Sequence, residues 1–314
     1  MQSHNTMSGP ASAVFAVTIL LGAAAWFADA QKLSMAEGPS FRADATLVLV
    51  PVAVMDRRGA VVNGLARDAF TLTEDGVRQQ IRSFSEEDAP VSIGTVLDLS
   101  GSMRATLGVA KEALRTLMKD VNPADEAFLN TVSTHPREYS EFTNDFDAVL
   151  SRVAFESAGG DTALIDTIYG SLKELRSGIH ARKALLIISD GMDNHSRYSR
   201  GELLERAMES DAQIYTIAVG NAPAYAKPMQ VMEEKRGLLF LDELAAKTGG
   251  ISFAVRGGKE VADAAAKIGQ ALRNQYVIGY APRGDDRGGR WHRITVKVAG
   301  PGTRAYAREG YRLD

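Results

Sequence analysis

From Val91 to Arg273 the chain alternates between near-continuous apolar runs and segments whose apolar residues recur every three to four positions, and few folds accommodate that pattern. VSIGTVLDLS from Val91, the segment 127–133, KALLIIS at 183–189 and AQIYTIAV at 212–219 lack the polar alternation of a strand with one wet face. Strands of that kind are covered on both sides. Between them lie amphipathic stretches, the first within MRATLGVAKEALRTLMKDV, then 145–153, 162–176, 200–210, 240–248 and 259–273. A short strand is expected near 137–142 and another at 251–255. The pattern predicts a doubly wound, mostly parallel, Rossmann-like α/β domain over 90–273. Such sheets bind ligands outside the carboxyl ends of their strands, where the strand order reverses.

The flanks read differently. ATLVLVPVAVM at 45–55 is β-branched and interrupted by Pro51, a sign of a bulge or an edge. Asp56-Arg57-Arg58-Gly59 supplies a turn, and short strands around Phe70–Leu72 and Gln80–Phe84 bracket Glu74-Asp75-Gly76. The tail adds Tyr276–Tyr280, Trp291–Val298 and Arg304–Ala307, with a turn at Gly284–Gly289. Three strands on each side are too few to bury a face alone. Segments 44–89 and 274–314 are therefore expected to pair into one small β-sandwich, with the α/β domain inserted. A length of 314 residues suits this division, since domains run to about 150 residues.

Ahead of the first strand, Ala13 to Ala28 is an uncharged apolar run followed by the small-x-small pattern Ala28-Asp29-Ala30. That suggests a signal peptide over 1–30, a linker over 31–43 and a secreted or periplasmic product. No Lys or Arg precedes the run, so an uncleaved membrane anchor and a buried helix are the alternatives; the run is short for a span of about 20 residues. With 36 Lys and Arg against 39 Asp and Glu, the chain has no basic excess for a phosphate backbone, and nucleic acid is not expected as a partner. Cysteine is absent, which removes disulfides, thiolate metal sites and cysteine nucleophiles.

Chemistry gathers at predicted strand ends. The first apolar strand runs into Asp98-Leu99-Ser100-Gly101-Ser102. Alternate residues of that loop can face one point, and three oxygen-bearing side chains there suit a hard cation; Mg²⁺ takes about six oxygens near ~2.1 Å. Asp and Ser are equally the favoured caps of an ordinary helix, so this stretch alone leaves both explanations open. Gly159-Gly160-Asp161-Thr162 delivers a further hydroxyl before a helix, and Leu186-Ile187-Ile188-Ser189-Asp190-Gly191 ends a strand on a carboxylate. On a parallel sheet these three loops share one rim.

Taken together, Asp98, Ser100, Ser102, Thr162 and Asp190 resemble the metal-ion-dependent adhesion site of the von Willebrand factor type A family, in order, loop position and spacing. Sixty residues separate Ser102 from Thr162 and 28 more lead to Asp190. The resemblance covers about residues 90–272. The stretch 53–59, FTLTEDG at Phe70–Gly76, Thr248-Gly249-Gly250, YVIGY at Tyr276–Tyr280 and REGY at Arg308–Tyr311 are similar to a bacterial, secreted group related to that family. The resemblance implies that the hydroxyls bind Mg²⁺ directly, with Mn²⁺ or Ca²⁺ as alternatives, and that Asp98 and Asp190 act largely through water. An ion with few direct negative ligands accepts an Asp or Glu side chain from a partner protein. A helix starting just after Ser102 would favour the same anion. The expected function is a non-enzymatic protein-binding module. The alternatives are a Mg²⁺-dependent hydrolase or phosphotransferase using Asp98, and a structural domain with a vestigial site.

Other features carry less. His135, His180, His195 and His292 form no metal-binding pair, and His195 is expected in a solvent-facing loop. Gly257-Gly258-Lys259 fails the phosphate-loop pattern at Phe253 and Glu260. No nucleophile elbow is present. Asp161 and Asp193 read as solvated turn carboxylates beside the site. The segment 222–238 reads as a long connection, either mobile or in contact with a partner.

Overall fold

The computed structural model describes residues 47–119, 121–134, 137–138, 141–220, 227–282 and 289–312. The apolar run Ala13–Ala28, the linker 31–43, His135 and residues 284–288 of the predicted turn lie outside the described residues.

The first strand, Val48–Met55 (β1), is shared by two cores: Val50, Val52 and Val54 enter one apolar cluster, and Ala53 and Met55 enter another. Pro51 interrupts nothing, because the neighbour on that edge pairs only with Ala53–Met55, leaving no acceptor waiting for the missing N–H. Phe70–Glu74 (β2), Val77–Arg78 (β3) and Ile81–Glu87 (β4) follow. Asp75 and Gly76, both at positive φ, make the β2–β3 turn. The α/β segment comprises Val91–Asp98 (β5), Leu107–Lys119 (α1), Glu126–Val132 (β6), Arg137–Glu138 (β7), Phe146–Ala154 (α2) and Leu164–Glu174 (α3). It continues through Arg182–Ser189 (β8), Arg200–Glu209 (α4), Ala212–Val219 (β9), Pro228–Thr248 (α5), Ser252–Val255 (β10) and Gly258–Arg273 (α6). Gln275–Tyr280 (β11), Trp291–Val298 (β12), Arg304–Tyr306 (β13) and Gly310–Arg312 (β14) complete the described chain.

The central sheet has the order β10-β9-β8-β5-β6-β7, parallel except for the edge strand β7. All eight residues of β5 are buried, the consequence of helices on both faces. α1 and α6 cover one face, and α3, α4 and α5 the other. Gly94 is dictated by this packing: a Cβ there would lie 2.6 Å from Phe128 and 2.8 Å from Leu185. The order reverses beside β5, whose neighbours β6 and β8 carry the chain in opposite directions.

The terminal strands form two four-stranded antiparallel sheets, β13-β1-β11-β4 and β14-β12-β2-β3. Val50, Phe70, Leu72, Tyr276, Ile278 and Ile294 from both sheets share one buried cluster. Each sheet mixes strands from the two ends of the chain, as expected of a small β-sandwich.

Two strands that the sequence pattern does not announce, β3 and β14, are too short to leave a periodic signature, and two local expectations are corrected. The helix does not start directly after Ser102: Gly101–Ala105 is a 3-10 turn, and α1 begins at Leu107. The segment 222–238 is not one long connection, because α5 starts at Pro228 and runs 21 residues. Pro228 sits in the first turn, where its missing N–H costs nothing. The first buried residue of α5 is Gly237, so its leading half shows no apolar face to a sequence-based periodicity argument.

Candidate metal centre

The carboxyl ends of β5 and β8 lie side by side where the strand order reverses. Asp98 closes β5 and is fully buried. Its Oδ1 accepts the Ser100 N–H at 2.8 Å, which folds the loop back over the strand end, and its Oδ2 accepts the Ser189 hydroxyl at 2.6 Å. Ser100 opens the 3-10 turn, yet its side chain caps no backbone N–H. Its Oγ lies 3.1 Å from Ser102 Oγ instead. The capping explanation therefore does not account for the Ser100 hydroxyl.

The other two loops are laced to the first. Gly101 N–H donates to the Gly160 carbonyl at 3.1 Å, and Gly159 N–H to the Leu99 carbonyl at 2.8 Å. Gly160 adopts φ 80°, a left-handed conformation open to glycine. Thr162 is buried, and α3 starts at Leu164 without a side-chain cap. Its backbone is held by the third loop: Asn194 Oδ1 accepts the Thr162 N–H at 2.8 Å, and the Asn194 and His195 N–H groups donate to its carbonyl. Hydrogen bonds thus tie together the three loops that carry Asp98, Ser100, Ser102, Thr162 and Asp190.

Asp190 sits one residue past β8, 1% exposed. Its Oδ1 accepts the Met192 N–H at 3.0 Å, whereas its Oδ2 is buried with no hydrogen-bond partner. Among the described residues it is the one carboxylate oxygen in that condition. Burial pushes the Asp98 carboxyl up to about 6, and the adjacent charge of Asp190 adds to the rise. Burial also raises Asp190, opposed by the nearby Ser102 hydroxyl and the Met192 amide, with Glu234 on α5 adding repulsion. Two carboxylates raised by burial, next to the Ser100 and Ser102 hydroxyls, form an oxygen-rich acceptor site with a deficit of positive charge. That donor set fits a hard divalent cation. Among the described residues no cluster of three or more His, Cys, Asp or Glu is placed to hold a metal ion; the rim supplies two carboxylates, and its other donors are hydroxyls.

Several residues that shape the site carried no sequence signal. Ser189 bridges β8 to Asp98 and also accepts the Gly191 N–H at 2.9 Å. Gly191, at φ 75°, touches Gly237 of α5 backbone to backbone: a Cβ on Gly237 would lie 2.7 Å from the Asp190 carbonyl. Asp193 is corrected from a solvated carboxylate to a cross-loop cap, its Oδ2 accepting the Ile165 N–H at 2.9 Å and the Ser196 hydroxyl at 2.5 Å. Asp161 is exposed, and His195 is a surface residue 3.9 Å from it.

The fold and rim define a class: a doubly wound α/β domain with a hydroxyl and carboxylate acceptor site at its switch point. Residues 93–192 match the sequence model of the von Willebrand factor type A domain, and the chain contains such a domain. No curated protein sequence matches the chain. Among solved structures the chain is similar to the conserved hypothetical protein BatB from Bacteroides thetaiotaomicron, with 16% identity, 58% of this chain and 98% of that one covered, and TM-score 0.45. A von Willebrand factor type A protein from Catenulispora acidiphila shares 13% identity over 87% of this chain and 76% of its own, with TM-score 0.48. The pilus adhesin SpaC from Lactobacillus rhamnosus GG shares 8% identity over 80% of this chain and 48% of its own, with TM-score 0.49.

Proposed function

We propose that this protein is a metal-dependent binding module that captures an acidic side chain of a partner protein outside the cytoplasm. The observation that carries this reading is the unpartnered, buried Oδ2 of Asp190 beside Asp98, because a desolvated carboxylate oxygen with no donor costs several kcal/mol unless a cation meets it. Asp98, Ser100, Ser102, Thr162 and Asp190 would hold the ion, Mg²⁺ or alternatively Mn²⁺ or Ca²⁺. When bound, the ion supplies a Lewis-acidic position for a partner carboxylate. The chain's own part is orientation. Ser189 and the Ser100 amide fix Asp98, Asn194 fixes Thr162, and Asp193 ties the loop after β8 to the start of α3. A binding role is favoured over a hydrolase because the hydroxyl that meets a rim carboxylate, Ser189 at 2.6 Å from Asp98 Oδ2, is fully buried and so closed to a substrate. Export rests on the run Ala13–Ala28. Among the described residues no helix is long and apolar enough to cross a membrane.

Thermal unfolding tests the reading. At 100 times its dissociation constant, Mg²⁺ or Mn²⁺ stabilises the folded state by ~2.7 kcal/mol, about 5–10 °C for a protein of this size. Asp190→Ala is expected to erase that shift. An equal shift in wild type and variant would overturn the ligand set, and loss of a phosphoester-cleaving activity in the same variant would favour the hydrolase. Capture is tested by binding of a Glu-containing partner peptide in Mg²⁺ and its loss in chelator.

A further inference from the structure

A second feature lies in the sandwich, where β12 and β13 part company. The Arg293 carbonyl accepts the Asp75 N–H from the β2 side, and the next residue, Ile294, turns its N–H the other way, to the Glu309 carbonyl at 2.8 Å. Backbone groups alternate along an antiparallel strand. The N–H and C=O of Val296 therefore also point away from β2, but on that edge β14 pairs only with Trp291–Arg293. β13 has the same property. It pairs with β1 through Ala53↔Tyr306 and Met55↔Arg304, while the carbonyl of Val54, opposite Ala305, accepts the Val62 N–H on the far side of β1. The alternation turns the backbone groups of Ala305 away from β1.

Val296 and Ala305 line one cavity of about 430 Å³, together with Arg293, Thr295, Arg304 and Gly250. Two strand edges thus present backbone groups to the same groove. Open edges of this kind are commonly covered or charged, and an extended peptide is the ligand that satisfies them. The charge of the groove selects which peptide. Arg293 and Arg304 are exposed, and neither forms an ion pair with a described carboxylate. The acidic lining residue, Glu309, is paired with Lys247 at 2.8 Å.

We infer that the groove between β12 and β13 binds an extended acidic segment of a partner protein through strand-edge hydrogen bonds and the two arginines, without any metal ion. This surface is separate from the rim of the central sheet and does not rest on the function proposed for it.

The test uses the full chain carrying Asp98→Ala, in chelator, so that the rim contributes nothing. Fluorescence anisotropy with a labelled alternating Glu-Val octapeptide is expected to show binding, and an alternating Lys-Val octapeptide none. Charge reversal at the two exposed sites, Arg293→Glu with Arg304→Glu, is expected to weaken the Glu-Val complex about tenfold or more. An alternating Glu-Pro octapeptide keeps the charge but loses half of its N–H groups, and is expected to bind about tenfold more weakly. No binding of the Glu-Val peptide, or unchanged affinity after charge reversal, would overturn the proposal. Equal affinity for the Glu-Pro peptide would overturn strand-edge pairing.

Discussion

Two of the places where the described chain buries carboxylates treat them in opposite ways. In the sandwich, Glu74 is 5% exposed, and its Oε1 accepts hydroxyls from Tyr280 at 2.9 Å and Tyr311 at 2.5 Å, one from each sheet. Burial, together with this shared carboxylate, pushes both tyrosine hydroxyls well above their usual range. His292, beside them, is 3.0 Å from Asp75. At the rim of the central sheet, Asp98 and Asp190 stand next to each other, both raised by burial, and one oxygen has no donor at all. A carboxylate that serves the fold is satisfied by the fold; one left short is a candidate for a functional role.

The largest expected effect comes from the satisfied side. Glu74→Leu strands two buried tyrosine hydroxyls and is expected to cost about 2–5 kcal/mol in urea unfolding. A loss below about 1 kcal/mol would remove the distinction, since structural carboxylates would then matter as little as an ordinary surface group.

The rim is expected to respond with the opposite sign. The Asp98 carboxyl rises in the folded state from 3.8 to about 6, so the folded protein binds more protons than the unfolded chain between those values. Stability from this group is therefore greatest below about pH 4, falls as pH rises through 6, and stays low above it. Asp98→Asn removes the penalty and is expected to stabilise the metal-free protein by up to about 3 kcal/mol at pH 8, with the gain vanishing near pH 4. Melting curves of both proteins across that range in chelator measure it. Destabilisation at pH 8 would mean that Asp98 is held for structure. The same titration predicts that stabilisation by Mg²⁺ weakens as pH falls below 6, because protons compete for the site.

The smallest effect probes the contact that shapes the rim from behind. Gly237→Ala gains about 1 kcal/mol of helix propensity, but its Cβ would press on the Asp190 carbonyl and Gly191. A net loss of about 1–2 kcal/mol is expected, with a reduced Mg²⁺-induced shift. An unchanged shift would show that α5 does not set the position of Asp190.

Much of this architecture is legible in the one-dimensional pattern. Val91–Asp98 and Arg182–Ser189 announce themselves as strands because apolar residues buried on both faces leave a continuous run. The placement of the candidate donors is legible too, because Asp98 and Asp190 end apolar runs and Thr162 precedes a helix. The leading half of α5 was not: MQVMEEKRG has no buried face until Gly237, and Met229 and Met232 stay more than half exposed. Asp193 was misjudged because its partner, the Ile165 amide, lies 28 positions away.

By itself the sequence determined the alternation of strands and helices, the two-ended origin of the sandwich and the residue types available at the rim, since these follow from local periodicity and turn chemistry. Only the tertiary structure decided that Asp190 Oδ2 lacks a hydrogen-bond partner while Glu74 Oε1 has two, and that Gly191 and Gly237 meet. Desolvation and hydrogen-bond satisfaction depend on every atom packed around a group, and those atoms come from distant parts of the chain.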